Sequence, residues 1–549
     1  MKDAVEALWS VRNRYSKADT ARKRAFLTSF AATLPRSSRD RRRLHDTLLF
    51  LLAHPDSAAL FRLADQVLAS LNESLDADTS DARALDGIAG STLSATFTFD
   101  AARWLATRLG EDVDVDWSDD EANARLERLL PLLIAPAERD GLGSPGLTTE
   151  EWVRLASGSR RAVRWILDRF EETFPDARTR DHIWDGVELP FQWHLRAATS
   201  RSGARLLPRK AATFPRGLTR TFDAAKEIAR TAPKPQRLRR TDAERVIRTV
   251  RTSMFSRERE TDAVTYANAD EVYRVEIEHG VDVYLFGLEP DRRLGIETFI
   301  GYIATRNSLP VAYGAGWVFL DRCETGINVL EEFRSGESAW LYAQILRVYR
   351  HTFDVRRFHV DPYQIGEENG DAIRSGAFWF YYRLGFRPAD RELAARADEE
   401  ARRIAKQRGH RTPARLLRHF ASEPVTLALG GCEESVALDA LGVALTCDFA
   451  SGRSVSRRTA QRLAARELAR RLDVDADDLN PQQRAWFTRL SPLFVRLDLD
   501  DWPKRDRARL RACLLAKGDA REMDYALGLR KLSRLPSALD VWVRRRLAK

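Results

Sequence analysis

Five aromatic residues follow one another in the run FWFYY at residues 378–382, between small residues at 375–377 and the pair Gly385 and Phe386. Successive residues of an α-helix are about 100° apart, so five of them surround the whole helix axis. Such a helix has no polar face to turn toward water and must be covered on nearly every side. We therefore predict a helix that is buried between a β-sheet and a flanking helical domain.

The length of the chain requires more than one hydrophobic core. It has 549 residues, whereas single domains commonly hold about 100–200. Apolar residues make up 44% of the chain and charged residues 31%, which is the usual mixture of a soluble globular protein. This composition excludes a wholly disordered chain and predicts three or four domains.

The positive charge of the chain is concentrated in one segment. The formal net charge is +10, and residues 201–260 hold 17 Lys or Arg against 6 Asp or Glu. A local excess of this kind raises the concentration of anions nearby, so nucleic acid, an acidic carrier protein and a polyphosphate ligand are candidate partners. A solvated arginine-rich surface without a partner explains the same residues, and the sequence leaves both interpretations open.

Cysteine usage and hydropathy bear on the cellular compartment. The cysteines are Cys323, Cys432, Cys447 and Cys513, and their spacing forms neither a CxxC pair nor a zinc site with nearby histidines. The N-terminal sequence MKDAVEALWS has charges where a signal peptide is apolar, and no apolar run approaches the roughly 20 residues that cross a membrane. We expect a cytoplasmic protein with no metal and no membrane partner.

Hydrophobic periodicity divides the chain into four segments. Residues 1–200 repeat apolar positions at intervals of three and four and are predicted to form an all-α domain. Residues 201–260 are interrupted by prolines and form a basic connector that ends in a helix. Residues 261–408 alternate strand and helix patterns, and residues 409–549 return to helical spacing as a C-terminal helical domain.

The elements of the 261–408 segment can be placed from their periodicity. Alternating or apolar runs rich in β-branched and aromatic residues predict strands at 272–278, 281–287, 311–320, 325–330 and 356–361. Helical spacing predicts helices at 294–303, 338–353 and 377–385. A further strand at 425–430 is possible within the C-terminal segment.

The order of two strands, an RSGESA turn, a long helix, a strand and a helix ending in Tyr-x-x-x-Gly-Phe resembles the core of the GNAT N-acetyltransferase superfamily. The resemblance covers about residues 268–390. It implies an α+β fold, with a GNAT-like mixed sheet that carries helices on both faces and is flanked here by all-α domains. It also implies acyl-CoA, such as acetyl-CoA, as cosubstrate, and transfer of the acyl group to a small-molecule or carrier-bound amine.

In that family a loop of the form (Arg/Gln)-x-x-Gly-x-(Gly/Ala) holds the pyrophosphate of CoA at a helix N-terminus, where free N–H groups favour anions. Two alignments of this loop are possible here. Placing Gly336 and Ser338 at the small positions puts Phe333 in the basic slot, whereas using Arg334 and Ala339 puts Glu337 in the central glycine slot. The resemblance thus assigns cofactor contacts to Val329, Leu330, Arg334, Ser335, Gly336, Ser338 and Ala339.

A second family signature, Asn-x-x-Ala-x-x-x-Tyr-x-x-x-Gly-Phe, falls on the aromatic run. Its later positions are matched by Ala377, Tyr381, Gly385 and Phe386, and Arg374 stands in the asparagine slot. This register distinguishes Tyr381 from the adjacent tyrosine, which matches no position of the signature.

The resemblance also implies two catalytic roles. The tyrosine at the position of Tyr381 protonates the departing CoA thiolate, and a carboxylate on the strand before the phosphate loop takes a proton from the amine. The nearest carboxylate of that kind is Glu324, at the start of the 325–330 strand. We therefore predict Tyr381 and Glu324 as catalytic residues.

Two other functions remain open at the level of the sequence. The chain could be a GNAT-like binding or scaffold protein that no longer performs acyl transfer. It could also bind nucleic acid, such as tRNA, through residues 201–260, although aromatic residues there are limited to Phe214, Phe222 and Phe255. Motifs of serine hydrolases, zinc proteases and P-loop enzymes are absent from the sequence.

Overall fold

The computed structural model describes residues 2–75, 85, 87–143, 146–209, 211–334, 337–430, 436–451 and 456–548. Within these residues the chain forms two compact units. The first contains the described residues of 1–208, 212–216 and 248–265, and the second those of 209–211, 217–247 and 266–549. The predicted segments 261–408 and 409–549 thus lie almost entirely in the second unit.

The helices of the first 200 residues follow the predicted spacing. Several begin at a capping side chain that accepts a backbone N–H bond, as at Ser16 and Ser37. The apolar run at 47–53 is a buried part of a helix. The helices are α1 (Lys2–Val11), α2 (Lys17–Ala32), α3 (Ser38–Ala53), α4 (Ala58–Leu75), α5 (Phe99–Arg108), α6 (Asp120–Leu133), α7 (Thr149–Ser157), α8 (Ala162–Thr173) and α9 (Ala177–Asp185).

The same region is not all-α, contrary to our prediction. Among its described residues β1 (Thr92–Thr96), β2 (Val113–Val115) and β3 (Pro190–His194) form an antiparallel sheet in the order β1-β3-β2. The central strand buries Phe191 and Trp193 beneath the helices. Strands of three to five residues are too short for a periodic pattern, and β3 pairs with a strand almost 100 residues earlier, so local spacing gave no signal.

The connector contains short elements and one long helix. The helix predicted at 241–255 is present as α11, whose residues before Arg248 belong to the second unit and whose later residues belong to the first. The elements of this region are α10 (Ala224–Ala229), β4 (Gln236–Arg237), α11 (Arg240–Phe255) and α12 (Asp262–Thr265).

The second unit is built on a mixed sheet, which has ten strands among the described residues and runs β12-β13-β11-β9-β8-β7-β6-β5-β4, with β10 paired to β8. The pair β9 and β11 is parallel, and the other pairs are antiparallel. The strands that follow β4 are β5 (Ala267–Glu276), β6 (Val281–Leu288), β7 (Thr298–Arg306), β8 (Leu309–Phe319), β9 (Arg322–Thr325), β10 (Asn328–Val329), β11 (Arg357–Val360), β12 (Arg387–Pro388) and β13 (Val425–Ala428).

The predicted helix at 294–303 is wrong, because this stretch contributes to β7. All nine residues of β7 are buried, so both faces of this inner strand are covered by other parts of the chain. A strand buried on both faces has no alternation of polar and apolar residues, and a short apolar run then resembles a buried helix.

Helices surround this sheet, and the predicted helices at 338–353 and 377–385 are present. The possible strand at 425–430 is present as β13 and adds to the sheet, so the C-terminal segment is not exclusively helical. The helices are α13 (Ser338–Phe353), α14 (Pro362–Ile365), α15 (Gly370–Ser375), α16 (Ala377–Arg383), α17 (Arg391–Lys406), α18 (Ala414–Phe420), α19 (Leu438–Ser451), α20 (Arg457–Leu472), α21 (Pro481–Phe494), α22 (Lys504–Ala516), α23 (Met523–Arg530) and α24 (Leu535–Leu547).

The predicted α+β class with a mixed sheet is therefore confirmed. One apolar cluster joins residues of α19 to α24 with Phe319 and Leu320 at the end of β8. Of the helices that the structure describes, none combines the length and the hydropathy needed to span a bilayer.

A buried group of four charged side chains connects the sheet to the C-terminal helices. The carboxylate of Glu271 on β5 accepts the backbone N–H groups of Glu522 and Met523 at 2.9 and 2.6 Å, and it lies 3.7 Å from the guanidinium of Arg293. The ammonium group of Lys517 pairs with the Glu522 carboxylate. The side chains of all four charged residues are completely buried.

The backbone of the turn between α22 and α23 is held by the same residues. The Arg293 guanidinium donates to the carbonyl groups of Lys517 and Asp519 at 2.7 and 2.6 Å. Burial raises the pKa of Glu271 to about 7 and the pKa of Glu522, and it lowers the pKa of Lys517. Charges removed from water at this cost require nearly complete hydrogen bonding, which fixes the turn in one position.

We predict that Glu271→Gln lowers the free energy of unfolding by about 3 kcal/mol, the cost of breaking a buried charge pair. Glutamine has the size of glutamate, but its amide group cannot accept both N–H bonds, and Arg293 loses a counter-charge. Urea denaturation followed by circular dichroism would measure the change. The control is Glu276→Gln on the exposed end of the same strand, which should change stability by less than about 1 kcal/mol; equal stability of both variants would contradict the prediction.

Candidate functional site

The strands β9 and β11 separate after a short parallel pairing. Residues 322–324 pair with residues 357–359, with Glu324 opposite His359. Beyond that point β10 pairs with β8 alone, at Asn328 and Val329. The chain from 325 to 330 therefore continues without a strand partner on the side from which β11 departs.

Tyrosine hydroxyl groups contact the backbone where the two strands part. The hydroxyl of Tyr342 on α13 donates to the carbonyl of Thr325 at 3.1 Å, and that of Tyr302 on β7 donates to the carbonyl of Gly326 at 2.6 Å. The ring of Tyr381 packs edge-on against Tyr342, with centroids 5.6 Å apart. These bonds satisfy backbone groups that a neighbouring strand would otherwise pair.

The Tyr381 side chain differs from the other tyrosines of this layer in its hydroxyl group. Burial raises its pKa to about 12, and a hydrogen bond donated by the backbone of Ile327 to the hydroxyl oxygen offsets part of the rise. Within the described chain, the Tyr381 hydroxyl donates to no acceptor, whereas those of Tyr302 and Tyr342 are committed to carbonyl groups. Tyr381 is therefore protonated at neutral pH and retains a proton that it can donate.

The neighbouring Tyr382 points elsewhere. Its hydroxyl donates to Asp398 on α17 at 2.5 Å. The guanidinium of Arg387 lies over its ring, with Cζ 3.7 Å from the ring centroid. The sequence register that separated Tyr381 from Tyr382 thus corresponds to two different environments. Tyr382 therefore links α16 to α17, and these contacts lie away from the parted strands.

The aromatic run is buried to different degrees. Phe378, Trp379 and Tyr381 are at least nine-tenths buried, whereas the remaining two rings are partly exposed. Phe378 stacks on Phe420 of α18 with centroids 4.8 Å apart, and the Trp379 indole N–H donates to Thr412. α16 lies against α18 on one side and α13 on the other, which agrees with the predicted cover on several sides.

Glu324 lies on the opposite face of the sheet from the tyrosine layer. The neighbouring side chain of Cys323 packs beside Tyr349 of α13, at the space left by Gly316. Successive side chains of a strand alternate between faces, so Glu324 projects away from α13. Burial raises the pKa of Glu324, and the charges of Asp361 and Glu297 raise it further.

His359 stands beside Glu324 on that face, and our sequence analysis assigned it no role. Its Nδ1 atom lies 3.0 Å from the Thr426 hydroxyl of β13. Burial lowers the pKa of His359 to about 4, with Arg322 and Arg357 contributing, so the imidazole is neutral at neutral pH. A single histidine on a short strand forms no motif that could be recognised in the sequence. It lies beside Glu324 because of the register between β9 and β11.

The predicted phosphate loop is described in part. Ser335 and Gly336 lie outside the described residues. Leu330 is buried, and its N–H donates to Val311 of β8. The exposed Arg334 donates through Nε to the carbonyl of Val329 at 3.0 Å, and within the described residues its other guanidinium N–H groups make no hydrogen bond.

The N-terminus of α13 already faces a carboxylate of the chain. Glu337 precedes Ser338 and Ala339 of the first turn, and its side chain is 9% exposed. One carboxylate oxygen lies 3.2 Å from the buried guanidinium of Arg306, and the other accepts the N–H of Thr219 in the connector at 2.9 Å. A carboxylate at the positive end of the helix dipole favours the helix but repels a phosphate at the same place.

Much of the basic charge of the connector is paired within the second unit. Arg209 contacts Asp282 at 3.3 Å, Arg230 contacts Glu278 at 2.6 Å, and Arg240 contacts Asp270 at 2.9 Å. These arginines connect the segment to β5, to β6 and to the turn between them, which favours a structural role for them.

The first unit contains a Ser-His-Asp arrangement that no sequence motif indicated. His45 Nδ1 lies 3.0 Å from Asp46 Oδ1, and His45 Nε2 lies 2.9 Å from Ser202 Oγ, which accepts the N–H of Ala89. His45 and Ser202 are 0% and 1% exposed, so the hydroxyl is closed to a substrate. We interpret this network as a clamp between α3 and the chain around residues 89 and 202.

No candidate metal site is present in the part of the chain that is described. That part holds no group of three or more His, Cys, Asp or Glu side chains arranged to bind a metal ion.

Comparison of the chain with protein-family models, with curated proteins and with solved structures gave no match. A functional assignment therefore depends on the residues and the geometry of this chain.

We predict that Gly314→Ala destabilises the second unit and disturbs the tyrosine layer. A Cβ atom at residue 314 would lie 2.5 Å from the Tyr302 hydroxyl and 2.7 Å from the carbonyl of Gly326, so the bond between them must break or shift. Overpacking of this kind costs about 1–3 kcal/mol. Gly295→Ala is the control because its Cβ would contact nothing within 4 Å; equal melting temperatures for the two variants would exclude the tyrosine layer as a rigid element.

Proposed function

We propose that the second unit is an acyl-CoA-dependent N-acyltransferase that transfers an acyl group to an amine. The observation that carries the proposal is the separation of β9 and β11 beside Tyr381, a buried tyrosine whose hydroxyl proton is uncommitted. A thioester bound along residues 325–330 would bring its sulfur to the side of the sheet on which Tyr381 lies. The resemblance of residues 268–390 to the GNAT superfamily supports the same placement.

The chain offers groups for both proton transfers of this reaction. The amine nitrogen forms a bond to the thioester carbonyl carbon as the carbon–sulfur bond breaks, and the amine loses a proton. Tyr381 supplies the proton that the departing thiolate takes up. Glu324 is the candidate base, and its raised pKa makes it a better proton acceptor than an exposed carboxylate.

The location of Glu324 constrains how it acts. It lies on the opposite face of the sheet from Tyr381, so an amine between the two groups must enter the gap from the face of Glu324. That face also carries His359, but its lowered pKa makes the imidazole a weak base, so Glu324 is the proton acceptor that we propose. Acyl donor and amine would accordingly approach the gap from opposite faces.

The N-terminus of α13 is poorly suited to bind the diphosphate of acyl-CoA. Arg334 retains free guanidinium N–H groups, but Glu337 brings a negative charge to the first turn of the helix. This charge favours the alternative function, a GNAT-like binding module that does not perform acyl transfer. The two functions differ in whether acyl-CoA binds and turns over.

We predict saturable binding of acetyl-CoA, measured by titration calorimetry, that becomes about tenfold tighter in Glu337→Gln. Removing the carboxylate charge relieves repulsion of the diphosphate, and tenfold corresponds to about 1.4 kcal/mol. Glu331→Gln, which removes an exposed charge from the preceding turn, is the matched control and should bind as the unmodified protein does. Absence of acetyl-CoA binding in both variants and in the unmodified protein would refute the acyltransferase and leave the binding module.

We predict that Tyr381→Phe lowers turnover about a hundredfold while the KM for acetyl-CoA stays nearly constant, because only the proton donor is lost. Release of free CoA thiol in the presence of a panel of primary amines measures turnover. Tyr382→Phe is the control, since its hydroxyl bonds to Asp398 rather than facing the gap. Equal turnover in the two variants would assign Tyr381 to packing.

A further inference from the structure

A cavity lies among the C-terminal helices, formed by residues other than those of the parted strands. Its volume is about 390 Å³, and it is open to solvent and lined by the chain from 496 to 502 after α21 and by the first three turns of α24. Small-molecule sites commonly measure about 300–1,000 Å³, so the space suits a ligand of mononucleotide size.

Residues with hydrogen-bond donors and apolar residues contribute about equally to the lining of this cavity. Guanidinium groups and hydroxyl groups come from Arg496, Arg534, Arg545, Ser533 and Ser537. Among the described lining residues the one carboxylate is Asp498. A lining with this excess of donors and of positive charge matches a ligand that is rich in acceptors and negatively charged.

The three arginines keep donors free for such a ligand. A guanidinium group has five N–H donors, and a single carboxylate occupies at most two of them in a bidentate pair. The carboxylate contacts are Arg496 to Asp448 at 2.7 Å, Arg534 to Asp506 at 3.8 Å and Arg545 to Asp498 at 3.4 Å. All three side chains are also substantially exposed, so their remaining N–H groups face solvent or the cavity.

Two indole rings and three aliphatic side chains, those of Leu497, Ala538 and Val541, supply the apolar part of the lining. Trp502 is 7% exposed, and its ring N–H donates to no acceptor within the described chain. Trp542 is partly buried on α24, and Val541 beside it is exposed. A buried indole with an uncommitted N–H at a cavity wall offers both a flat surface and a donor to a planar ring.

We propose that this cavity binds a nucleoside phosphate. The guanidinium groups of Arg534 and Arg545 bind the phosphate oxygens, for which their planar, forked donors are suited. The base lies against Trp502 and Trp542, and Asp498 accepts from the ribose hydroxyl groups. This site is independent of the proposed acyl transfer, since it uses none of the residues placed there.

The test is a titration of the full chain with ADP at low ionic strength, followed by calorimetry. We expect saturable binding at micromolar to millimolar concentration, with inorganic phosphate and adenosine each binding at least about tenfold more weakly than ADP. In the double variant Arg534→Ala with Arg545→Ala the affinity for ADP falls about tenfold or more. Arg544→Ala removes the adjacent arginine of α24, which pairs with Asp540 outside the cavity, and leaves the affinity unchanged.

A second variant distinguishes a loss of ADP binding from a loss of folding. Ser537→Glu places a carboxylate in the cavity at an exposed position of α24, so it abolishes ADP binding while the circular dichroism spectrum is retained. Three results would overturn the proposal: no saturable binding at millimolar ADP, equal binding of adenosine and ADP, or binding lost in Arg334→Ala but retained in the double variant. The last result would place ADP at α13, and failure of acetyl-CoA to bind would leave the expected ADP result unaffected.

Discussion

The buried charges of Glu271, Arg293, Lys517 and Glu522 fix the C-terminal helices to the sheet, and the arrangement of the second unit depends on them. Apolar packing between helices and a sheet tolerates sliding, whereas four buried charges are stable only when nearly every donor and acceptor is matched. Gly287 contributes by its missing side chain, since a Cβ atom there would overlap the Glu271 carboxylate. The turn between α22 and α23 is thereby held in a single register on β5.

The fixed sheet allows a backbone irregularity that an isolated strand would not keep. After the short pairing of β9 with β11, the backbone at 325 and 326 is held by hydroxyl groups of Tyr342 and Tyr302 instead of a neighbouring strand. The backbone beside Tyr381 is thus held by side chains that are themselves packed in the core. Groups fixed in this way are preorganised, as the acyl transfer that we propose requires.

Local pattern determined most of the helices and several inner strands of the large sheet correctly. The spacing of α13 and α11 and the pattern of β5 could be read because these elements are long enough to repeat it, whereas β6 was identified by its β-branched and aromatic residues although all eight of its residues are buried. The strand β7 was assigned to a helix because burial on both faces removes its alternation. The strands β1 to β3 were missed because their residues become strands only by pairing with partners far along the chain.

The candidate site was likewise determined partly by local sequence pattern and partly by tertiary structure. The sequence by itself determined that the 378–382 run must be covered by other elements, and its register singled out Tyr381 from Tyr382, because both depend on helical spacing along one segment. Tertiary structure alone decided that Tyr381 keeps its proton uncommitted, that Glu324 lies on the other face beside His359, and that Glu337 reaches Arg306 at the end of α13. These facts follow from strand register and packing between distant segments, which no local pattern encodes.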